Sequence, residues 1–596
     1  MINKIKILGE YVKKNEGDNN PLNLNLTLQT ANVIILDMIL NKGLCEYKGV
    51  DTIEFEQLKN HLILYKNAPG QTKSPFPTYS VFYDKNADKC KENIKKSYNK
   101  FVITLKNNSE INSDLKPVFE LLQKKDIQDT LLKEIFQFLN PELSNLFTIR
   151  INNQLIGDSP FFKGIKDDFL KSSDNDLFNK YNTKSIGNKE KCYICGLISE
   201  KLYGFCDTFK FYSANETAYI AGGFKREKTW KNYPVCPTCA NYLKLGKERL
   251  NVNLNRYFYG NKYLLIPSLT IDKGDFYQNI QDIEEDFKDL SLKKEQESNQ
   301  QLRNEMEEDV LSCLAEQKDQ ATFTFFFYKE SNSEFKILQE AEDILPSRFR
   351  KIINAKKKVE DFDEFKNLKG LYKKGDYHNL SFNFGIIKTF FPSDYNNDFL
   401  DITTKIFKGQ RISKSFILHQ ISEHLAKGFR NEKLYYDIEK AMIFLKFLFE
   451  LKLIENKKGK MEVKMENKYE DYFRKHPEFY DADWKKAVFL TGVLAQNVMD
   501  IQYRERKARP FRSRLNGLKL DQRAIKRLLP ESIEKLEQYK SNYYRDLEEA
   551  ISELMESGEP EMKMQSVDEI SFYFAMGMNL NKQFKSNKET EGENDE

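Results

Sequence analysis

Two Cys-x-x-Cys pairs, Cys192/Cys195 and Cys236/Cys239, stand 40 residues apart in this chain and constrain its fold more than any other feature. Two residues between cysteines let a tight turn aim both sulfurs at one point. Two such turns complete a tetrahedral thiolate shell at roughly 2.3 Å per Zn–S bond. The spacing therefore predicts that both turns meet around a structural zinc ion held by Cys192, Cys195, Cys236 and Cys239. Four thiolates leave no position for water or substrate, so the ion is expected to brace the fold rather than carry chemistry. Gly196 follows the first pair and Pro237 lies inside the second, as turns require. A redox-active Cys-x-x-Cys is the alternative, but it needs one pair beside a βαβ pattern and has no use for a second. Cys206 could replace a ligand but lacks a partner at the right spacing, and Cys45, Cys90 and Cys313 read as buried small hydrophobes.

At 596 residues the chain exceeds what one core supports, and its 40% hydrophobic and 13% aromatic content is that of a globular protein. No apolar run approaches the ~20 residues of a membrane helix, and the first residues do not form a signal sequence. Eight cysteines, half of them at metal spacing, fit a reducing compartment, so a cytoplasmic protein without membrane association is expected. Net charge is only +4, and attraction to nucleic acid must come from local clusters.

The pattern along the chain predicts a multidomain α+β protein. An N-terminal α+β region spans 1–184, with strand-like runs at Tyr79–Tyr83 and Phe101–Leu105 and a Pro/Gly loop at Asn67–Pro75 whose polar tips are able to meet a partner. A zinc-ribbon-like module follows at 185–250, with a strand candidate at Thr208–Tyr212. Within it Lys225, Arg226, Lys228 and Lys231 surround Trp230. Either they hold a nucleic-acid backbone with stacking nearby, or Trp230 packs on the small core and the lysines face water.

A second α+β region is expected over 251–430. Its segment 281–310 carries eleven acidic against four basic residues and reads as a solvated helix or linker. Thr322–Tyr328 reads as a buried strand with a hairpin partner at Phe335–Leu338.

Residues 431–596 read as an all-α bundle. Apolar stripes run along Ile438, Met442, Leu445 and Phe449, along Trp484, Val488, Thr491, Ala495 and Val498, and from Ile533 to Leu554 behind a helix-opening Pro530. Ser566–Glu569 is a capping box, and the acidic tail from Lys588 is expected to be disordered.

Residues 501–527 form a basic hinge: Arg504, Arg506, Lys507, Arg509, Arg512, Arg514, Lys519, Arg523, Lys526 and Arg527 oppose only Glu505 and Asp521, a net +8. Arginine predominates, which favours bidentate phosphate contacts, and Pro510 is expected to break the helix there. A solvated, salt-bridged face is the alternative. None of the five histidines makes a catalytic constellation. His419 and His424 are five apart, ~140° around a helix, and no zincin, Walker or nucleophile-elbow motif occurs. Binding is supported better than catalysis.

In Cys192–Gly196, Gly222–Phe224, Trp230–Cys236, Leu345–Arg348, Asn497–Arg506, Pro510–Phe511, Leu515–Lys519 and Gly577–Leu580 the chain resembles the large subunit of the type I-B CRISPR interference (Cascade) complex. The resemblance implies a non-enzymatic subunit that checks a protospacer-adjacent motif, helps open the duplex, holds displaced strands and enables recruitment of a separate helicase-nuclease. It implies as partners the guide-RNA-bearing complex, target duplex DNA and its displaced strand. It also implies that the C-terminal portion is able to arise as a separate small subunit from an internal start, for which Met461 or Met465 would serve. Arg504, Arg506, Arg509, Arg512 and Arg514 are the expected backbone contacts, with Lys507, Lys519 and Arg523 beside them and Lys225, Arg226 and Lys231 as a second set; the Asn67–Lys73 loop is a candidate for motif reading. The alternatives from other classes are a zinc-stabilised nucleic-acid enzyme, which would show a Gly-Gly-Asp-Asp site absent here, and a structural protein–protein adaptor.

Overall fold

The computed structural model describes residues 1–16, 30–41, 43–56, 60–65, 75–180, 182–214, 216–221, 223–269, 280, 284, 300–331, 335–363, 366, 382–392, 396–431, 436–455, 469–541 and 544–584. Most of the Asn67–Pro75 loop, the greater part of 281–299, Gly222, Met461, Met465 and the acidic tail lie outside them. The protein is α+β and divides into two compact units. One comprises Met1–Arg256, Lys262–Ser268 and Tyr328–Lys336; the other Tyr257–Asn261, Leu269–Phe327 and Ile337–Glu596. Among the described residues no helix is long and apolar enough to cross a membrane.

The first unit opens with helix α1 (Ile2–Glu16) and a five-stranded sheet built from β1 (Thr30–Asn41), β2 (Leu44–Glu56), β3 (Tyr79–Val81), β4 (Asn145–Ile151) and β5 (Gln154–Leu155). The order is β2-β1-β4-β3, with β5 paired to β4. β1 and β2 form an antiparallel hairpin with an irregularity at Asp37/Met38, while β1 and β4 run parallel. A parallel pair needs a long crossover, here helices α2 (Ala87–Ile111), α3 (Lys116–Leu122) and α4 (Lys125–Gln137). Alternation along β1 serves two cores: Ile34, Leu36 and Met38 pack with Phe101, Leu105 and Phe147, whereas Ala31, Val33 and Ile35 pack with Ile63 and Leu146. Across the sheet Arg150 holds Asp37 in a two-pronged ion pair at 2.5 Å and reaches Asp51 at 2.8 Å.

Tyr79–Val81 is a strand, as expected, but Phe101–Leu105 is not. It lies in α2, whose buried residues Cys90, Ile94, Tyr98, Phe101, Leu105 and Asn108 recur every three or four positions, with Ile103 exposed. Asn86 caps the helix by accepting from the N–H groups of Asp88 and Lys89 at 3.0 and 3.2 Å. The short β-branched run was ambiguous by itself, and the longer period decides.

Farther along the chain β6 (Ala321–Glu330) and β7 (Phe335–Ile344) are sheet neighbours. Residues 321–328 of β6 are all buried, in keeping with the expected buried strand and its partner. The acidic segment departs from expectation. Its described part includes helix α6 (Gln300–Glu316), which follows α5 (Pro237–Asn253) in the chain, and Glu307 and Glu308 in it are buried, as is Glu284. Glu308 accepts from the Tyr259 hydroxyl at 2.6 Å and the Phe384 N–H at 3.1 Å and pairs with Lys356, while Glu307 accepts from the Tyr259 N–H. Partners far away in sequence make this burial tolerable.

Helix α7 (Pro346–Glu360) opens with the Leu345–Arg348 motif. Arg348 donates through Nε and Nη2 to the Ile406 carbonyl at 2.9 and 2.5 Å, adding to the 3.3 Å bond from the Gly409 N–H at the end of α8 (Asn396–Lys408). The remaining helices are α9 (Lys414–Arg430), α10 (Asp437–Glu450), α11 (Asp483–Arg506), α12 (Gln522–Gln538), α13 (Arg545–Met562) and α14 (Val567–Asn579). α11 is their centre, buried along almost its whole length. Its closest approach is to α14: a Cβ on Gly492 would meet the Phe574 carbonyl oxygen at 2.1 Å, and one on Gly577 would meet that of Phe489 at 1.8 Å.

Ser566 caps α14 by accepting from the Glu569 N–H at 3.1 Å, as its capping box predicts. Pro530 does not open a helix. It lies inside α12, which begins at the Asp521 cap, where the side chain accepts from Ala524 N–H at 2.8 Å. The expected single stripe from Ile533 to Leu554 is divided between α12 and α13.

Candidate functional site

Cys192 and Cys195 lie on the tip of a two-stranded hairpin, Glu190–Lys191 with Ile198–Ser199. Gly196 adopts φ +71°, a conformation open to glycine, and donates to the Cys192 carbonyl at 2.9 Å. Cys236 is the N-cap of α5, Pro237 fills its first position, and Cys239 lies in its first turn. The knuckle and the helix start are joined where Tyr193 N–H donates to the Pro234 carbonyl at 2.8 Å and Cys236 N–H to Cys192 Sγ at 3.3 Å. All four Sγ atoms lie within 4.8 Å of one another, with Cys195 and Cys236 4.0 Å apart. A tetrahedron with Zn–S bonds of roughly 2.3 Å has edges of about 3.8 Å, so the four cysteines predicted from spacing fit a zinc ion.

The electrostatics favour the same occupant. Burial pushes the Cys236 and Cys239 thiols up, and the neighbouring Cys192 sulfur adds to it; Cys192 is held down, against burial, by backbone N–H bonds. Crowded thiols without a cation resist losing their protons together, and a dication removes that penalty. The start of α5 supplies partial positive charge on the same side. Cys206 stands apart from the four: it is buried, with Sγ 4.0 Å from the Tyr203 carbonyl oxygen. Cys90 is buried as expected, whereas Cys45 and Cys313 are half-buried.

Thr208–Tyr212 is not a strand but a tight turn, with Thr208 N–H bonded to the Cys206 carbonyl at 2.8 Å and Lys210–Tyr212 in one 3-10 turn. The aromatics pack on one another instead, with Tyr212 stacked on Tyr233 at 4.6 Å. Trp230 packs on Gly187, where any Cβ would meet the indole at 2.5 Å. Around it Lys225, Lys228 and Lys231 are exposed and Arg226 is half-buried. The tryptophan is half-buried, with the Lys231 ammonium 5.6 Å from its ring centroid.

The basic hinge spans the end of α11, a turn, and the start of α12. Pro510 opens an irregular 3-10 segment, Pro510–Leu518, broken by positive φ at Asn516 and Gly517. The ten cations fall into two groups. Arg512 is half-buried, with its guanidinium 4.3 Å from the Phe429 ring and Nη2 donating to the Phe429 carbonyl near the end of α9. Lys519 bridges Glu423 at 2.6 Å and Asp568 at 3.2 Å. Burial works against its charge, but these bonds hold its pKa above the ordinary value. Lys526 pairs with Glu559 at 2.6 Å, Arg527 with Glu531 at 3.4 Å, and Arg514 reaches Glu531 at 4.0 Å. Arg504, Arg506, Lys507, Arg509 and Arg523 are exposed, and among the described residues only Arg509 of these has a carboxylate near it, Asp500 at 3.7 Å.

His419 Nδ1 lies 2.9 Å from Asp568, close to Glu423, so three metal-capable groups converge there, a cluster the sequence did not reveal. Lys519 already neutralises its carboxylates. His424 bonds Asp437 instead, at 2.9 Å.

Arg512 is therefore a structural residue. Arg512→Ala is expected to lower the stability of the second unit by about 1–2 kcal/mol, since it removes a charged hydrogen bond to the Phe429 carbonyl and a cation–π contact. Arg504→Ala should stay within ~0.5 kcal/mol of the parent. Calorimetric melting of the two variants checks the difference.

Three family models match the chain, described as the N-terminal, central and C-terminal domains of CRISPR-associated protein TM1802 (cas_TM1802). They cover residues 1–165, 189–344 and 382–592 respectively. No curated protein matches it.

Proposed function

Because the chain belongs to the CRISPR-associated TM1802 family, matched over residues 1–165, 189–344 and 382–592, we propose that it is the large, non-catalytic DNA-recognition subunit of a type I-B RNA-guided effector complex of the Cascade kind. The three successive family matches are the observation that carries this reading. The motif resemblance supplies the subtype.

In this role the subunit tests a short protospacer-adjacent motif on duplex DNA and promotes strand opening. Guide pairing exchanges one duplex for another of similar stability, so contacts worth a few kcal/mol decide whether opening proceeds. The exposed cations of the hinge, Arg504, Arg506, Lys507, Arg509 and Arg523, with Lys225, Arg226 and Lys231 as a second set, hold phosphates. Zinc on Cys192, Cys195, Cys236 and Cys239 braces the hairpin against α5 and takes no part in bond breaking. Cutting falls to a recruited helicase-nuclease, and the complex works in the cytoplasm. A C-terminal product begun at Met461 or Met465 would carry the hinge.

Reconstitution tests this. The chain, its companion Cascade subunits and guide RNA are combined with target duplex bearing or lacking the adjacent motif, and strand opening is followed by permanganate reactivity. Opening is expected only when the chain and the motif are both present. Equal opening without the chain, or cleavage of DNA by the chain alone, overturns the proposal.

A further inference from the structure

The turn after α11 places an exposed aromatic ring among exposed cations. Tyr503 is 49% exposed. The Arg509 guanidinium lies 4.9 Å and the Lys507 ammonium 5.8 Å from its ring centroid. One turn away the Arg506 guanidinium lies 5.2 Å from the half-buried Tyr539 ring. Two rings interleaved with three cations are thus carried on one face of the second unit. Glu505 is the only carboxylate between residues 503 and 509, and Arg504, Arg506 and Lys507 have no ion-pair partner among the described residues. Of the cations beside the two rings only Arg509 meets a carboxylate among the described residues, Asp500 at 3.7 Å.

Local backbone geometry serves the same end. Lys507 ends α11 with φ 50° and ψ 25°, the left-handed conformation that glycine adopts without steric cost. A lysine there keeps the turn and adds an ammonium beside the ring. The side chains are long and flexible, so they attend the ring without sealing it. Such a ring is matched to a flat, π-faced partner with anionic groups on either side, which is a nucleotide. In a duplex both faces of each base are already stacked, so only an unpaired base is able to use it.

We propose that Tyr503 is a stacking platform for single-stranded DNA, with Arg504, Arg506, Lys507 and Arg509 taking the flanking phosphates. The assignment to DNA rests on the functional reading above, in which a displaced DNA strand must be held.

The full chain is titrated against labelled oligothymidylate, oligouridylate and a blunt duplex at several salt concentrations, by fluorescence polarisation. Tyr503→Ala should weaken oligothymidylate binding by about 5- to 150-fold, the range for loss of one base–aromatic stack, with duplex affinity and the salt slope unchanged. Tyr503→Phe should bind like the parent, since the ring is retained. The triple variant Arg504→Ala/Arg506→Ala/Lys507→Ala should reduce the single-strand salt slope by about 2. If the triple variant loses slope while Tyr503→Ala binds normally, the stacking role fails and the functional reading stands. Equal losses for duplex and single strand with Tyr503→Ala also overturn the stacking role, and tighter binding of oligouridylate overturns the assignment to DNA. If neither strand binds the parent chain, both readings fall.

Discussion

Replacing Cys192 and Cys239 together by serine is expected to empty the metal centre and unfold the module around it. The parent chain should carry about one zinc per molecule, and the variant close to none. The effect is large because the four sulfurs converge from two segments that share little other structure: two-residue strands on one side, a helix start on the other. Structural zinc in small peptide modules contributes on the order of 10–16 kcal/mol at neutral pH, far more than such short hairpins retain without it. Limited proteolysis should then open new cleavage sites between residues 185 and 250 while the second unit still melts cooperatively. Cys206→Ala is the control, since that thiol stands outside the cluster and should leave the zinc content intact. Zinc retained at parental level in the double serine variant refutes the centre.

The second large effect is expected at the crossing of α11 and α14. Gly577→Ala places a methyl group 1.8 Å from the Phe489 carbonyl oxygen, and both groups belong to helix backbone rather than to a movable side chain. The helices must separate, which undoes packing on both sides of the contact. A loss of about 3 kcal/mol or more is expected for Gly577→Ala, and a greater one for Gly577→Val. Gly164→Ala is the comparison: it is exposed and its added methyl meets nothing within 4 Å, so it should be neutral or slightly stabilising. Thermal and denaturant melts of the three variants settle the ranking, and a Gly577→Ala protein as stable as the parent would show that the crossing is looser than described.

The parts of the molecule legible from the sequence are those whose determinants lie close together along the chain. The zinc ligands announce themselves through two-residue spacings, the α14 cap through Ser566 and Glu569, and the buried β6 through its run of phenylalanines. Where the determinant is a distant partner, local reading fails. Glu307 and Glu308 look solvated until Tyr259, Lys356 and Phe384 arrive to bond them. Phe101–Leu105 reads as a strand until the whole period of α2 is set against it. Gly577 and Leu345–Arg348 carried the family resemblance, yet both serve helix packing: Gly577 by admitting a neighbouring backbone, Arg348 by capping α8. In the hinge the sequence shows the excess of charge, but only the fold separates Arg512 and Lys519, which hold helices together, from Arg504 and Arg506, which face outward.

α1 rests on α5 through a second glycine pair, in which a Cβ on Gly9 would meet the Tyr242 carbonyl oxygen at 1.7 Å and one on Gly246 that of Ile5 at 2.0 Å. The two glycines are 237 positions apart. At a synthesis rate of about 5–20 residues per second, the opening helix leaves the ribosome on the order of ten to fifty seconds before its seat has been translated. Through that interval its apolar side has no native cover, and a holdase is expected to bind there.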